Sequence, residues 1–142
     1  MKKTFALFTF LIFSASAALA QFANRFDSDV FSIVGPPGWD MKDNKNSWMP
    51  VKYIRTNENT AVFKEVINVS YTNQDESMAQ FIAGLEKNVE NFKKIDQGIE
   101  DINGRELDYL IYSYKYKTFT VKGKVYHFKK PNNIGLLVGY VA

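Results

Sequence analysis

Ile99-Glu100-Asp101-Ile102-Asn103-Gly104-Arg105-Glu106-Leu107-Asp108-Tyr109-Leu110-Ile111-Tyr112-Ser113-Tyr114-Lys115-Tyr116 carries the clearest structural signal in the chain. Asn103-Gly104 stands between two runs of strand formers, and both residues tolerate the positive φ that a tight reversal demands. The stretch therefore predicts a β-hairpin whose second arm runs from Arg105 to Tyr116. Downstream, Thr118 to Phe128 reads as another strand, bent or broken at Lys122-Gly123-Lys124. Pro131-Asn132-Asn133 then turns the chain into a last apolar strand, Ile134 to Val141.

Upstream of the hairpin, Met78, Phe81, Ile82, Leu85, Val89 and Phe92 recur at steps of three and four. That spacing predicts one long amphipathic helix with a single apolar stripe. Asn73 with Glu76, or Asp75, would cap its start, and Gly98 would release the chain at its end. Before the helix, Ala61 to Tyr71 places Phe63, Ile67, Val69 and Tyr71 on one parity, as in a strand with one covered face. Val51 to Thr56 is a weaker strand, with a turn at Asn57-Glu58-Asn59. Val30 to Val34 is a short strand stopped by Gly35-Pro36-Pro37-Gly38-Trp39, because proline cannot donate to a ladder. Asp40 to Ser47 reads as polar loop. Together these predict an α+β domain: an antiparallel β-sheet with one long amphipathic helix packed on it.

The chain's first twenty residues read differently. Met1-Lys2-Lys3 is basic, Phe5 to Phe13 is apolar, and Ser14 to Ala20 is rich in small residues and ends Ala18-Leu19-Ala20. This is the build of a secretory signal peptide, with cleavage expected before Gln21 and a single domain over residues 21–142. The apolar run is roughly half of what a spanning helix needs. The expectation is therefore an exported protein, in the bacterial periplasm or secreted, that does not span the membrane.

The 142 residues hold no cysteine and one histidine, so no disulfide framework or thiol chemistry is on offer. His127 sits between Tyr126 and Phe128 with no sequence-local partner, which suits a structural histidine better than a metal ligand or a catalytic base. Asp96, Glu100 and Asp101 are close acids. A carboxylate pair of a hydrolase would need them to converge, and their placement around a hairpin suits solvated turn charges. No cofactor or metal is implied, and the charge balance gives no case for nucleic acid.

Charge is unevenly distributed. Ten basic and fifteen acidic residues stand between Gln21 and Asp108, whereas six lysines and no acid follow. Lys115, Lys117, Lys122 and Lys124 fall in the same stretch as Tyr112, Tyr114 and Tyr116, whose shared parity would line one sheet face. A basic, tyrosine-bearing hairpin could meet a protein or an anionic envelope component. The simpler explanation is that lysines guard exposed strands against edge-to-edge pairing, and that tyrosine packs well in strands. Two further readings compete: a small-ligand or lipid carrier with an apolar pocket between helix and sheet, and a secreted hydrolase.

The order of Phe31-Ser32-Ile33-Val34 into Gly35-Pro36-Pro37-Gly38-Trp39, then a strand, the helix from Met78 to Phe92, and Ile99-Glu100-Asp101-Ile102-Asn103-Gly104 resembles bacterial relatives of PsbP, the extrinsic subunit of the photosynthetic oxygen-evolving complex. The resemblance spans most of Val30 to Val141. It implies an exported α/β/α sandwich that acts as an accessory or binding module rather than an enzyme, and it transfers no active-site residue. Chains of that family continue into a C-terminal helix covering the sheet, whereas this sequence stops at Gly139-Tyr140-Val141-Ala142. On this reading the helix is missing, and Ile134 to Val141 could pair with a second copy in a homo-oligomer.

Overall fold

The computed structural model describes residues 24–55, 65–73, 76–130 and 132–142. The leader, the turn at 57–59, the first residues of the strand expected from Ala61, the alternative cap Asp75 and Pro131 lie outside them. Asn103 and Gly104 adopt φ of 55° and 77°, so the two-residue reversal forms as its sequence requires. It joins strands Lys93–Ile102 and Arg105–Tyr116 in antiparallel register, Ile102 opposite Arg105.

Nine strands are present among the described residues: β1 (Arg25–Asp27), β2 (Ser32–Val34), β3 (Trp39–Asp43), β4 (Val51–Arg55), β5 (Val66–Asn73), β6 (Lys93–Ile102), β7 (Arg105–Tyr116), β8 (Phe119–Lys130) and β9 (Ile134–Val141). β1 and β2 form a separate ribbon. The other seven make one antiparallel sheet in the order β3-β4-β5-β9-β8-β7-β6. Among the described residues one helix, α1 (Met78–Asn88), carries the chain from β5 to the far edge at β6.

The expected α+β layout with a long helix is therefore corrected to a mostly β protein. α1 has 11 residues and buries only Met78 and Ile82. Val89 is already its C-cap, with extended backbone, and Phe92 lies beyond it. The apolar spacing continued past Asn88, but tertiary pairing took the following residues into a strand. The cap is also one turn later than expected. Ser77 caps the helix by accepting from the Gln80 amide at 3.3 Å, while Gln80 Oε1 accepts from the Ser77 amide at 2.8 Å.

Two cores form, on opposite faces of the sheet. On one face the β1–β2 ribbon covers β4, β5 and β9, with Phe26, Val51, Tyr53, Val69 and Leu136 buried together. On the other, α1 lies over β7 and β8, with Met78 and Ile82 against Leu110, Tyr112 and Val125. Each core contains a tyrosine ring lying on a glycine. A Cβ at Gly35 would stand 2.3 Å from Cδ1 and Cε1 of Tyr53, and one at Gly123 would stand 2.5 Å from Cζ of Tyr112. Gly123 is thus a seat for Tyr112, its cross-strand neighbour, and β8 runs through it unbroken.

β9 is an interior strand, hydrogen-bonded to β5 on one side and β8 on the other. Its Leu136 and Val138 join the first core and Leu137 the second. The strand-edge dimer expected of Ile134 to Val141 has no free edge to use. The expected polar loop at Asp40 is also corrected, since Trp39–Asp43 pairs with β4 as an edge strand. The opposite edge, β6, is charged and carries a bulge between Lys94 and Asp96, which are two common protections of an exposed edge.

Candidate functional site

Because the two covers sit diagonally, the ribbon's face of the sheet is left open over β6 and over β7 and β8 from Tyr109 and Tyr126 toward the hairpin tip, while Leu107 and Phe128 lie buried or packed near the ribbon. Residues of alternate parity meet there by register: Gly98 faces Tyr109, Tyr109 faces Tyr126, and Lys124 faces Tyr140. Lys124 is the hub. Its Nζ donates to Glu100 Oε2 at 2.6 Å and lies 4.9 Å and 4.8 Å from the ring centres of Tyr109 and Tyr126. Such cation–ring approaches hold both partners in place.

The phenols close the network. Tyr126 donates to Glu100 Oε2 at 2.7 Å, and Tyr109 donates to Asp96 Oδ2 at 2.8 Å. Tyr140, beside Lys124, donates to Glu65 Oε1 at 2.6 Å, and Glu65 also accepts from Arg55 Nη1 at 2.6 Å. The ammonium of Lys124 and the phenol of Tyr126 hold the Glu100 carboxyl below its ordinary range, and Glu100 in turn raises Lys124. Tyr140 and Arg55 do the same to Glu65, while Asp96 raises the phenol of Tyr109 and Glu65 that of Tyr140. Exposed ion pairs contribute little stability. What the network does is fix the rotamers of three tyrosines on an exposed surface.

The residues singled out from sequence divide between the two faces. Lys115, Lys122 and Lys124 share the open face, whereas Tyr112, Tyr114 and Tyr116 point to the helix side. Tyr112 is 8% exposed, stacks on Tyr114 with centroids 6.2 Å apart, and burial pushes its phenol up to about 12. Tyr114 is half-buried in the same core, and Tyr116 stands at the hairpin tip, 46% exposed, with the Lys117 ammonium 5.5 Å from its ring centre. The edge-guard explanation does not apply to Lys122 and Lys124, which are paired on both sides inside the sheet, and it is left only to Lys115 and Lys117 near the hairpin tip.

The acids also come out differently. Asp101 Oδ1 accepts from the Gly104 amide and serves the turn, but Asp96 and Glu100 belong to the tyrosine network. Tyr109, Tyr126, Asp96 and Glu100 were visible one by one, but their meeting depends on the β7–β8 register. That register is set by a two-residue turn at Lys117-Thr118, where no glycine or asparagine marks it, and Lys117 itself takes φ of 56°.

His127 is 4% exposed beneath the start of α1, and burial lowers its pKa. An open cleft of about 470 Å³ above it is lined by Ser77, Asp108, Lys129 and others. Deeper, between Thr72, Met78, Phe81, His127 and Leu137, the gap is too narrow for a water molecule. The apolar cavity that a carrier would need between helix and sheet is thus filled at this point. Among the described residues no group of acids and histidines is arranged to hold a metal ion, and no helix is long and apolar enough to cross a membrane.

No protein-family model and no curated protein matches the sequence. Solved structures do. PA94 of Pseudomonas aeruginosa, a protein of unknown function, superposes with TM-score 0.51 at 14% identity, over 83% of this chain and 81% of its own. LpqN of Mycobacterium tuberculosis, involved in cell envelope biogenesis, does so with TM-score 0.51 at 18% identity, over 80% and 69%. The cyanobacterial PsbP of Synechocystis sp. PCC 6803 overlays with TM-score 0.48 at 12% identity, over 82% and 76%. At these identities the likeness to PA94 and LpqN is one of fold.

Proposed function

We propose that the protein is an exported, non-enzymatic accessory protein of the bacterial envelope, processed before Gln21, that binds a protein partner through the open face of β6–β9. The observation that carries this is the arrangement of Tyr109, Tyr126 and Tyr140 around Lys124, with every charge at the centre already satisfied inside the site. Tyrosine supplies large contact area with little rotamer entropy to lose, and it is enriched where interfaces concentrate their energy. Rings fixed before the partner arrives reduce the ordering cost of association. The carboxylates are occupied as hydrogen-bond acceptors, which suits a recognition surface better than acid–base chemistry. The signal-like leader supports export, and the shared fold with LpqN is consistent with an envelope role.

The test is site-specific photo-crosslinking in the cells that make the protein. A benzophenone side chain replacing Tyr109, Tyr126 or Tyr140 should give a common, discrete protein adduct. The same group at the exposed Lys52, on the other face, should not. Adducts of equal yield from both faces, or none from the tyrosine positions, would remove the proposal.

A further inference from the structure

A second surface lies at one end of the molecule, next to the tyrosine face, and it takes in Lys115 and Lys122 from that face's margin. Register brings three distant segments there. Lys93 of β6, Ser113 of β7 and Lys122 of β8 form one row across the sheet, Lys94 stands opposite Tyr112, and α1 ends nearby, with Lys87 in its last turn and the Glu90 carbonyl accepting from the Lys115 amide. Past that row the β7–β8 hairpin continues for three more residue pairs, to Tyr116 opposite Phe119. The Glu90 carbonyl flanks the first arm as far as Lys115, and the pair Tyr116–Phe119 with the turn between them forms the tip past that contact.

The tip is amphipathic in an unusual way. Tyr116 and Phe119 are 46% and 39% exposed on one side. Lys115, Lys117 and Lys122 are exposed around them, with Lys87, Lys93 and Lys94 behind. Among the described residues the exposed acids beside this end are Glu86, Glu90 and Asp96, so lysines outnumber them six to three. Lys117 holds a left-handed backbone conformation that non-glycine residues rarely adopt, and it sets its ammonium against the Tyr116 ring.

We infer that this end docks on an anionic phospholipid membrane surface, with Tyr116 and Phe119 entering the headgroup boundary and the lysines on the phosphates. Aromatic side chains with lysines flanking them are the chemistry of the membrane interface, since the rings take the apolar side and flexible lysine stems reach the headgroups. An acidic protein would be a poorer match, because lysine is depleted at protein interfaces, where arginine and flat aromatic clusters are favoured. The lysines gain from the surface potential, about fivefold in affinity for each one near the membrane.

Vesicle co-sedimentation tests this, using the protein as its own cells process it. Vesicles with phosphatidylglycerol in phosphatidylcholine should bind, and pure phosphatidylcholine should bind far less. The combined Lys115→Glu, Lys117→Glu and Lys122→Glu variant should lose roughly a hundredfold in affinity. Phe119→Ser should lose roughly tenfold, and part of that loss should persist at about 1 M salt, where charge is screened within about 3 Å. All four positions are exposed, so circular dichroism of each variant should match the parent. Equal binding to neutral and anionic vesicles, an unaffected triple variant, or no binding to either would overturn the inference. So would equal affinity for soluble polyglutamate with no effect of Phe119→Ser, because the surface would then read charge alone.

Discussion

Under the β1–β2 ribbon, Phe26, Val51, Tyr53 and Val69 are each 2% exposed or less; under α1, the helix's own anchors Met78 and Ile82 keep 7% and 8%. The polar groups differ as well. Tyr53, beneath the ribbon, donates its buried phenol to the Ile33 carbonyl at 3.1 Å. Beneath the helix, Thr72 Oγ1 and His127 Nε2 find no partner among the described residues. A buried polar atom without a hydrogen bond costs about 1–3 kcal/mol. One sheet thus has a dry, satisfied cover on one face and a shallow, partly unsatisfied cover on the other. The helix side is where local opening should begin.

The strongest way to break this comparison is to empty each core. Tyr53→Ala removes a fully buried ring and its hydrogen bond, and should cost about 4 kcal/mol in urea unfolding. Ile82→Ala, at the shallow cover, should cost about 2 kcal/mol. Equal losses would mean that the two covers are energetically alike. Next comes the seat of Tyr112. Gly123→Ala puts a methyl group into the ring's place and should cost about 1–3 kcal/mol by overpacking. Adding Tyr112→Ala to it should recover the clash term, although not the lost ring.

A smaller effect separates the helix from the sheet. Ser77→Ala removes the cap oxygen that accepts from Gln80 and should cost about 1 kcal/mol. Amide hydrogen exchange should show the loss confined to α1 and the strands beneath it, with β4 and the ribbon unchanged. If exchange quickens equally in β1, β2 and β4, the helix and the ribbon belong to one cooperative unit, and the contrast between them has no energetic meaning.

The comparison also explains what could be read in advance. Asn103-Gly104 dictates its turn locally, so the hairpin and the span Arg105–Tyr116 were legible, as was Ile134–Val141 with its unbroken apolar pattern. Lys93 to Gly98 carries no strand alternation because β6 is an edge, exposed along its first five residues, and its pairing is imposed by the hairpin. The expected helix runs too long because Val89 and Phe92 keep helical spacing, although Val89 is already the C-cap and Phe92 packs from outside the helix. The tyrosine network was hidden for a topological reason: Glu100 and Lys124 are 24 residues apart and meet only once the unmarked turn at Lys117 has set the register of β8.

The finest test concerns His127, the only histidine in the sequence. Burial disfavours its charged form and Lys129 adds to that, while Asp108 and Glu76 pull the other way; the net direction is down from 6.5. The unfolded chain therefore binds this proton more readily than the folded one. Stability from this group is complete above about pH 6.5 and is lost as pH falls toward the folded pKa. Glu65 and Glu100 do not obscure this, because both are lowered from 4.5 and weaken the fold only at more acid pH. Between about pH 4.5 and 6.5 the unfolding free energy should decline with a slope of no more than one proton, and His127→Gln should flatten it. Nuclear magnetic resonance of the single imidazole gives the folded pKa directly. A value at or above 6.5 would mean that the space beneath α1 admits water or a counter-charge, and the shallow cover would then be an open one.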